Sequence, residues 1–218
     1  LLFEDFETGD YRRWTSMTYD AAWDGGNCHG NAFSTEESVS ATHSHRSEIT
    51  CRSRESVHRG YGGLQFDGDS VVGAYTNSGT GIVAPNGVVT TFWTHLHAPD
   101  SFGGGRWFSL WTVDGDCAWG EEVVTLGLED SSHALAPAHV ASTTYGDRPP
   151  LPCDEWVRIT VYVNFDDGTM HVWQNGEWVS ESSFARATRT ICQWHWGAYA
   201  SGDNTNIVLY EDDKSIWK

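Results

Sequence analysis

The sequence predicts an all-β fold, an antiparallel β-sandwich with a groove on one sheet, and three observations carry that prediction. Turn signals recur at roughly 8–12-residue spacing and separate about ten to fourteen short apolar runs, the pattern of two packed sheets. The runs alternate with a period of two. Gln193-Trp194-His195-Trp196-Gly197-Ala198-Tyr199 sets Gln193, His195, Gly197 and Tyr199 on one side and Trp194, Trp196 and Ala198 on the other. No helical period appears over any long window; only a short helix around 182–187 is expected.

In chain order, the first run is Leu1 to Gly9, an apolar-acidic strand ending at glycine. Residues 18–40 are rich in Gly, Asn, Ser and Thr and read as a long loop. Thr42 to Arg52 is a strand with Arg46, Glu48 and Arg52 on one face and His43 and His45 on the other. Gly62 to Asp69 and Ser70 to Tyr75 follow as strands. Val88 to His97 then places Trp93, His95 and His97 opposite Phe92, Thr94 and Leu96. Gly103-Gly104-Gly105 marks a turn, Arg106 to Val113 alternates again, and Glu122 to Leu128 leads into an irregular stretch as far as Cys153. Trp156 to Asn164 is the clearest strand, with Val157, Ile159, Val161 and Val163 facing a core. Met170 to Gln174, Asn175-Gly176 and Glu177 to Val179 form a hairpin on a type I′ turn. Ile207 to Asp213 closes the chain, and its acidic end suggests that it pairs with the first strand.

No linker divides the 218 residues, so one domain spanning 1–218 is expected. Twelve tryptophans exceed what a core needs; several, Trp107 among them, are expected to line a surface where flat rings suit sugar faces. The formal charge of -17 disfavours a nucleic-acid partner, which requires a basic footprint. No transmembrane run or signal peptide is present, and Leu1 reads as the start of a mature or trimmed chain. The Gly-, Trp- and Asn-rich composition points to a secreted monomer with one or two disulfides, Cys28–Cys51 and Cys117–Cys153, leaving Cys192 free. Acids at both chain ends, Glu4, Asp5, Glu7 and Asp212, could give oxygens to a structural calcium ion. His43 with His45, and His95 with His97, are i, i+2 pairs that could share a transition metal if their strands were neighbours.

Two stretches resemble alginate-lyase-like polysaccharide lyases. Arg46-Ser47-Glu48-Ile49 with Arg52 is similar to their Arg-Ser/Thr-Glu-Leu-Arg strand, and Gly197-Ala198-Tyr199 to the end of their Tyr-Phe-Lys-Ala-Gly-x-Tyr strand. The chain ends, Phe3-Glu4-Asp5-Phe6-Glu7 and Tyr210-Glu211-Asp212-Asp213, resemble those of concanavalin-like jelly rolls, including glucuronan and heparin lyases. His195 stands where that family has lysine, Ser201 where it has glutamine, and His97 is the best match for its Gln-Ile/Val-His element.

The resemblance implies a jelly roll that cleaves an acidic, uronate-containing polysaccharide by β-elimination, with no organic cofactor. Removing the proton at C5, α to a carboxylate, requires that carboxylate to be neutralised as enolate charge grows. Arg46 is the expected neutraliser, Tyr199 the acid or acid and base, and His97 or His45 the alternative base. Glu48 would orient Arg46 or Arg52, while Gln193, His195, His95 and Trp107 would bind sugar. The scheme requires Arg46 and Tyr199 to meet in one groove. Its rivals are a lectin-like carbohydrate-binding domain, a histidine-ligated metalloenzyme, and a glycoside hydrolase. The last needs two close carboxyls, and Glu122 and Asp130 lie eight apart in sequence.

Overall fold

The structure, a computed structural model, describes residues 2–9, 15–16, 29–50, 57–68, 70–72, 79–98, 107–115, 117, 123–129, 131–185, 189–201 and 206–218. Its strands are β1 (Leu2–Glu4), β2 (Thr15–Ser16), β3 (His29–Ser34), β4 (Ser44–Ile49), β5 (Val57–Asp67), β6 (Ser70–Val72), β7 (Ile82–Val83), β8 (Val88–His97) and β9 (Trp107–Asp114). They continue with β10 (Val123–Glu129), β11 (Leu135–Ala138), β12 (Ser142–Tyr145), β13 (Trp156–Asn164), β14 (Thr169–Gln174), β15 (Glu177–Ser183), β16 (Thr190–Ile191), β17 (Gln193–Ser201) and β18 (Ile207–Trp217). Among the described residues there is no helix; residues 182–185, where a short helix was expected, finish β15 and leave it extended. β3 lies inside the stretch expected to be a loop, and β11 and β12 inside the stretch expected to be irregular.

Two antiparallel sheets form a sandwich. The nine-stranded sheet runs β12-β15-β14-β13-β8-β18-β4-β3, with β1 also on β18; the seven-stranded sheet runs β11-β10-β9-β17-β5-β2, with β6 on β5. The first and last strands pair as expected, Leu2 opposite Ile216 and Glu4 opposite Lys214. The β14–β15 turn has both central residues at positive φ, Asn175 at 52° and Gly176 at 87°, as a type I′ turn demands.

Each sheet turns one face to a shared apolar core, and the alternation in the sequence selects that face. Val157, Ile159, Val161 and Val163 of β13 are at most 1% exposed, as are Trp194, Trp196, Ala198 and Ala200 of β17. Burial of this size, at about 25 cal/mol per Å² of apolar surface, is the main term holding the sheets together. Near β4, β5 and β17 the sheets come very close. A Cβ on Gly197 (φ 98°) would stand 2.3 Å from Ser47 Oγ, and one on Gly60 2.7 Å from the carbonyl oxygens of Glu48 and Gly30.

The core also holds charge. Lys214 and Glu211 are both fully buried with Nζ 3.2 Å from Oε2, and the ammonium lies 4.3 Å from the Phe92 ring centre. Burial depresses Lys214 to a pKa of about 8, against the pull of Glu211 and Asp212.

The cysteines pair differently from expectation. Cys117 is bonded to Cys192, and Cys153 is the free thiol. Cys192 directly precedes β17 and its N–H donates to the Asp114 carbonyl at the end of β9, so the fold holds it beside the 117 turn. Cys28 and Cys51 lie outside the described residues.

Candidate functional site

The polar residues of β4 and β17 end on opposite outer faces of the sandwich. Both strands bury their alternate residues in the same core, so their polar sides point apart. Arg46 and Glu48 face outward from the nine-stranded sheet; Gln193, His195 and Tyr199 face outward from the seven-stranded one. Arg46 and Tyr199 therefore do not share a groove, contrary to the expectation. His45 is corrected as well: it is fully buried, stacked 5.7 Å from Phe6 with its edge toward Trp196, and cannot reach a polysaccharide. Arg52, Glu122 and Asp130 lie outside the described residues, as does the side chain of Trp107, whose backbone pairs with Glu129.

On the seven-stranded sheet the register brings together residues from three neighbouring strands. Gln193 stands between Gln65 and Asp114, His195 between Gly63 and Thr112, and Tyr199 between Arg59 and Ser109. A bulge on β17 after Trp196, centred on the positive φ of Gly197, restores Tyr199 to the outer side. Tyr61 stacks on the His195 ring at 5.0 Å and meets Tyr199 edge-on at 5.7 Å. Gln65, Asp114 and Gln193, two residues along the strands from His195, are at most 1% exposed. Tyr199 also lines a cavity of about 510 Å³ walled by Phe108, Leu128, Ala136, Pro137 and His139. That volume lies in the range of small-ligand sites, which combine apolar walls with a few placed polar groups. Tyr61, Asp114 and Gln65 were not singled out in the sequence. The signal was available in the alternation of Tyr61-Gly62-Gly63-Leu64-Gln65-Phe66, whose odd-numbered members face outward beside β17.

The outer face of the nine-stranded sheet carries a second polar group. Arg46, Tyr210, His95 and Trp156 lie in one cross-strand row. Arg46 Nη1 is 2.9 Å from Glu48 and its Nε 3.3 Å from Glu36, while the Tyr210 hydroxyl donates to Glu36 at 2.5 Å. Burial works against the Arg46 charge, but Tyr210 and Glu48 more than offset it and raise its pKa. Burial and the adjoining Glu36 raise the Tyr210 phenol. His95 and His97 meet edge-to-face at 4.9 Å, and His97 Nδ1 bonds to the Asp154 carboxylate. Burial lowers the His95 pKa. The two histidine pairs do not combine: His45 is interior and His43 turns toward Glu7.

The four terminal acids serve the chain itself. Thr42 and His43 N–H groups donate to Glu7 Oε1 at 2.9 and 2.7 Å, and Thr42 Oγ1 to Oε2 at 2.8 Å. Desolvation opposes these bonds, yet they hold the Glu7 carboxyl at about 2. Asp212 accepts from Val39 and Ser40 N–H at 2.8 and 2.9 Å; burial nevertheless raises its pKa. Asp5 accepts from the Glu7 N–H, and buried Glu4 from the Phe6 N–H. Glu7 and Asp212 thus grip the same segment, 39–43, from two sides.

No protein-family model matches the sequence, and no curated protein matches it either. Solved structures do match in fold. The chain superposes on the cellulose-induced protein Cip1 with a TM-score of 0.65 at 17% identity, covering 100% of this chain and 97% of that one. It superposes on the endo-β-1,4-glucuronan lyase of the fungus Trichoderma reesei with a TM-score of 0.63 at 11% identity, covering 99% and 94%. A family 16 endo-glucanase of Bacteroides ovatus gives 0.57 at 12%, covering 99% of each. The fold is the jelly-roll sandwich common to these proteins.

Proposed function

We propose that the protein is a secreted polysaccharide lyase acting on a uronate-containing glycan, with its site on the outer face of the seven-stranded sheet. The observation that carries this reading is Tyr199, which lines a cavity of about 510 Å³ and belongs to an aromatic cluster with Tyr61 and, through Tyr61, His195. The same jelly roll serves the glucuronan lyase. In β-elimination a base removes the C5 proton, the electron pair forms the C4–C5 double bond, and the C4–O bond breaks as an acid protonates the leaving oxygen. The Tyr199 phenol takes the role of acid, or of acid and base in turn, and His195 stands by it as the second proton-transfer group. The substrate carboxylate needs a positive neighbour in this site, and Arg46, on the other sheet, does not supply it. Gln193 and Gln65 are buried and support the sheet beside His195 without reaching the substrate.

A hydrolase needs two carboxyls about 5–10 Å apart. Among the described outward positions of β9 and β10, Asp114 and Glu129 are far apart: Asp114 pairs with Val123, six residues along the strand from Glu129, or about 20 Å at 3.3 Å per residue. The Cys117–Cys192 disulfide supports an oxidising, extracellular setting.

Calcium is assigned a structural role at Glu7 and Asp212. A hard cation takes carboxylate oxygens, and each of these two acids already holds segment 39–43 by accepting its N–H groups. The ion would add rigidity to segment 39–43 and takes no part in the reaction.

The deciding experiment is a screen of glucuronan, alginate, pectate, heparin-type glycans and ulvan. The readout is the ultraviolet absorbance of the unsaturated product. Absorbance should rise on one uronate polymer and be lost in Tyr199→Phe. Binding of the polymer with no product, unchanged in Tyr199→Phe, would establish a lectin-like domain instead.

A further inference from the structure

We propose that Glu37, His95 and His97 form a binding site for a divalent transition-metal ion of the zinc class, on the outer face of the nine-stranded sheet. One ligating atom from each residue lies within 4.8 Å of the other two. Bonds of about 2.0–2.1 Å at tetrahedral angles set ligand atoms about 3.4 Å apart, so small side-chain rotations close the set. The site is built from the sequence upward. His95 and His97 are two apart on β8, so one strand presents both imidazoles on the same side. Glu37 follows β3 and reaches the pair across β4 and β18.

Two further observations point to a ligand. His97 Nδ1 is taken by the Asp154 carboxylate, which fixes the ring and leaves Nε2 as the free donor. A carboxylate bonded to the far nitrogen is the usual support of a metal-binding histidine. His95 is 4% exposed, and its Nδ1 is buried with no hydrogen-bond partner among the described residues. A buried ring nitrogen left open in a row of aromatics is costly unless something binds it. Trp156 and Tyr210 flank that ring at 5.2 and 5.9 Å and hold its orientation.

The donor set decides the metal. Two imidazoles and one carboxylate suit zinc and its neighbours; calcium selects oxygen throughout. Three protein ligands leave a fourth position for water. The inference stands apart from the lyase reading, because the two sites lie on different sheets.

The test uses the full chain, purified without a histidine tag, stripped with chelator and held in excess calcium. Calorimetric titration with zinc chloride should give one saturable site per chain. Cobalt(II) loading should give the visible absorption bands of a low-coordinate ion. His97→Ala and Glu37→Gln should weaken zinc by about 100-fold or more, and Asp154→Asn by about 10–100-fold. His171→Ala, distant on β14, should change nothing. Both ligand positions are partly solvent-exposed and Glu37→Gln is isosteric, so circular dichroism should show the fold retained. Absence of saturable binding overturns the proposal. So does zinc affinity undiminished in folded His97→Ala and Glu37→Gln.

Discussion

Replacing Lys214 with methionine tests the buried charge in the core. Lys214 and Glu211 are both at 0% exposure, and a close ion pair between them is what offsets their desolvation. Removing one partner from such a pair costs about 3–5 kcal/mol, because the other charge is left buried alone. Replacing both with apolar residues of like size is neutral or stabilising by about 1–4 kcal/mol. Lys214→Met alone should therefore lower stability by about 4 kcal/mol at pH 7, and Lys214→Met with Glu211→Leu should recover all of it. The pH dependence follows from the depressed pKa. Between about 8 and 10.5 the unfolded lysine still holds its proton and the folded one does not. The unfolded state binds more protons, so stability rises with pH through that window. The ion pair thus offsets only part of the lysine's desolvation, and the rise across that window is about 3 kcal/mol at most. Urea denaturation of wild type and both variants at pH 7 and pH 10 measures all of this. A wild type whose stability does not rise from pH 7 to pH 10 relative to Lys214→Met, or a double variant as weak as the single one, would refute the account.

Other outcomes are equally open to measurement. Tyr199→Phe should cut kcat/KM on the uronate polymer by about 100-fold or more with the melting temperature unchanged, since only a hydroxyl is lost. Because the net charge of -17 repels a polyanion, kcat/KM should rise about threefold or more from low salt to physiological ionic strength; a fall would mean that a local basic patch dominates. Reducing Cys117–Cys192, which spans 75 residues, should cost roughly 4 kcal/mol and lower Tm by roughly 10 °C in a thermal melt with and without reductant. Calcium at a hundredfold over its Kd should stabilise by about 2.7 kcal/mol, and Glu7→Ala should abolish that gain.

Much of the fold could be read from local alternation. β8 and β13 have the bounds that Val88–His97 and Trp156–Asn164 imply, because Val88, Phe92 and Leu96 in one and Val157, Ile159, Val161 and Val163 in the other mark a single face to bury. β3 was hidden by its Gly-Asn composition; it is an edge strand that needs little apolar surface of its own. The site was legible strand by strand and not as an assembly. Alternation says that Arg46 opposes His45 and that Tyr199 opposes Ala198, but the sheet each strand joins is decided by the crossovers. Acids misled for a related reason: Tyr210-Glu211-Asp212-Asp213 reads as a wet strand end, whereas Glu211 lies inside beside Lys214 and Tyr210 completes the arginine row.

The contact between Gly197 and Ser47 ties the fate of the two outer surfaces together. Gly197 is two residues from Tyr199, and Ser47 is adjacent to Arg46, with no layer of side chains between them. A methyl group at 197 would have to push against the opposite sheet, so an alteration made to tune the aromatic cluster would register in the arginine row behind it. Selection on either surface is thereby constrained by the other, and a saturation library should find this corner far less permissive than the polar rows it separates.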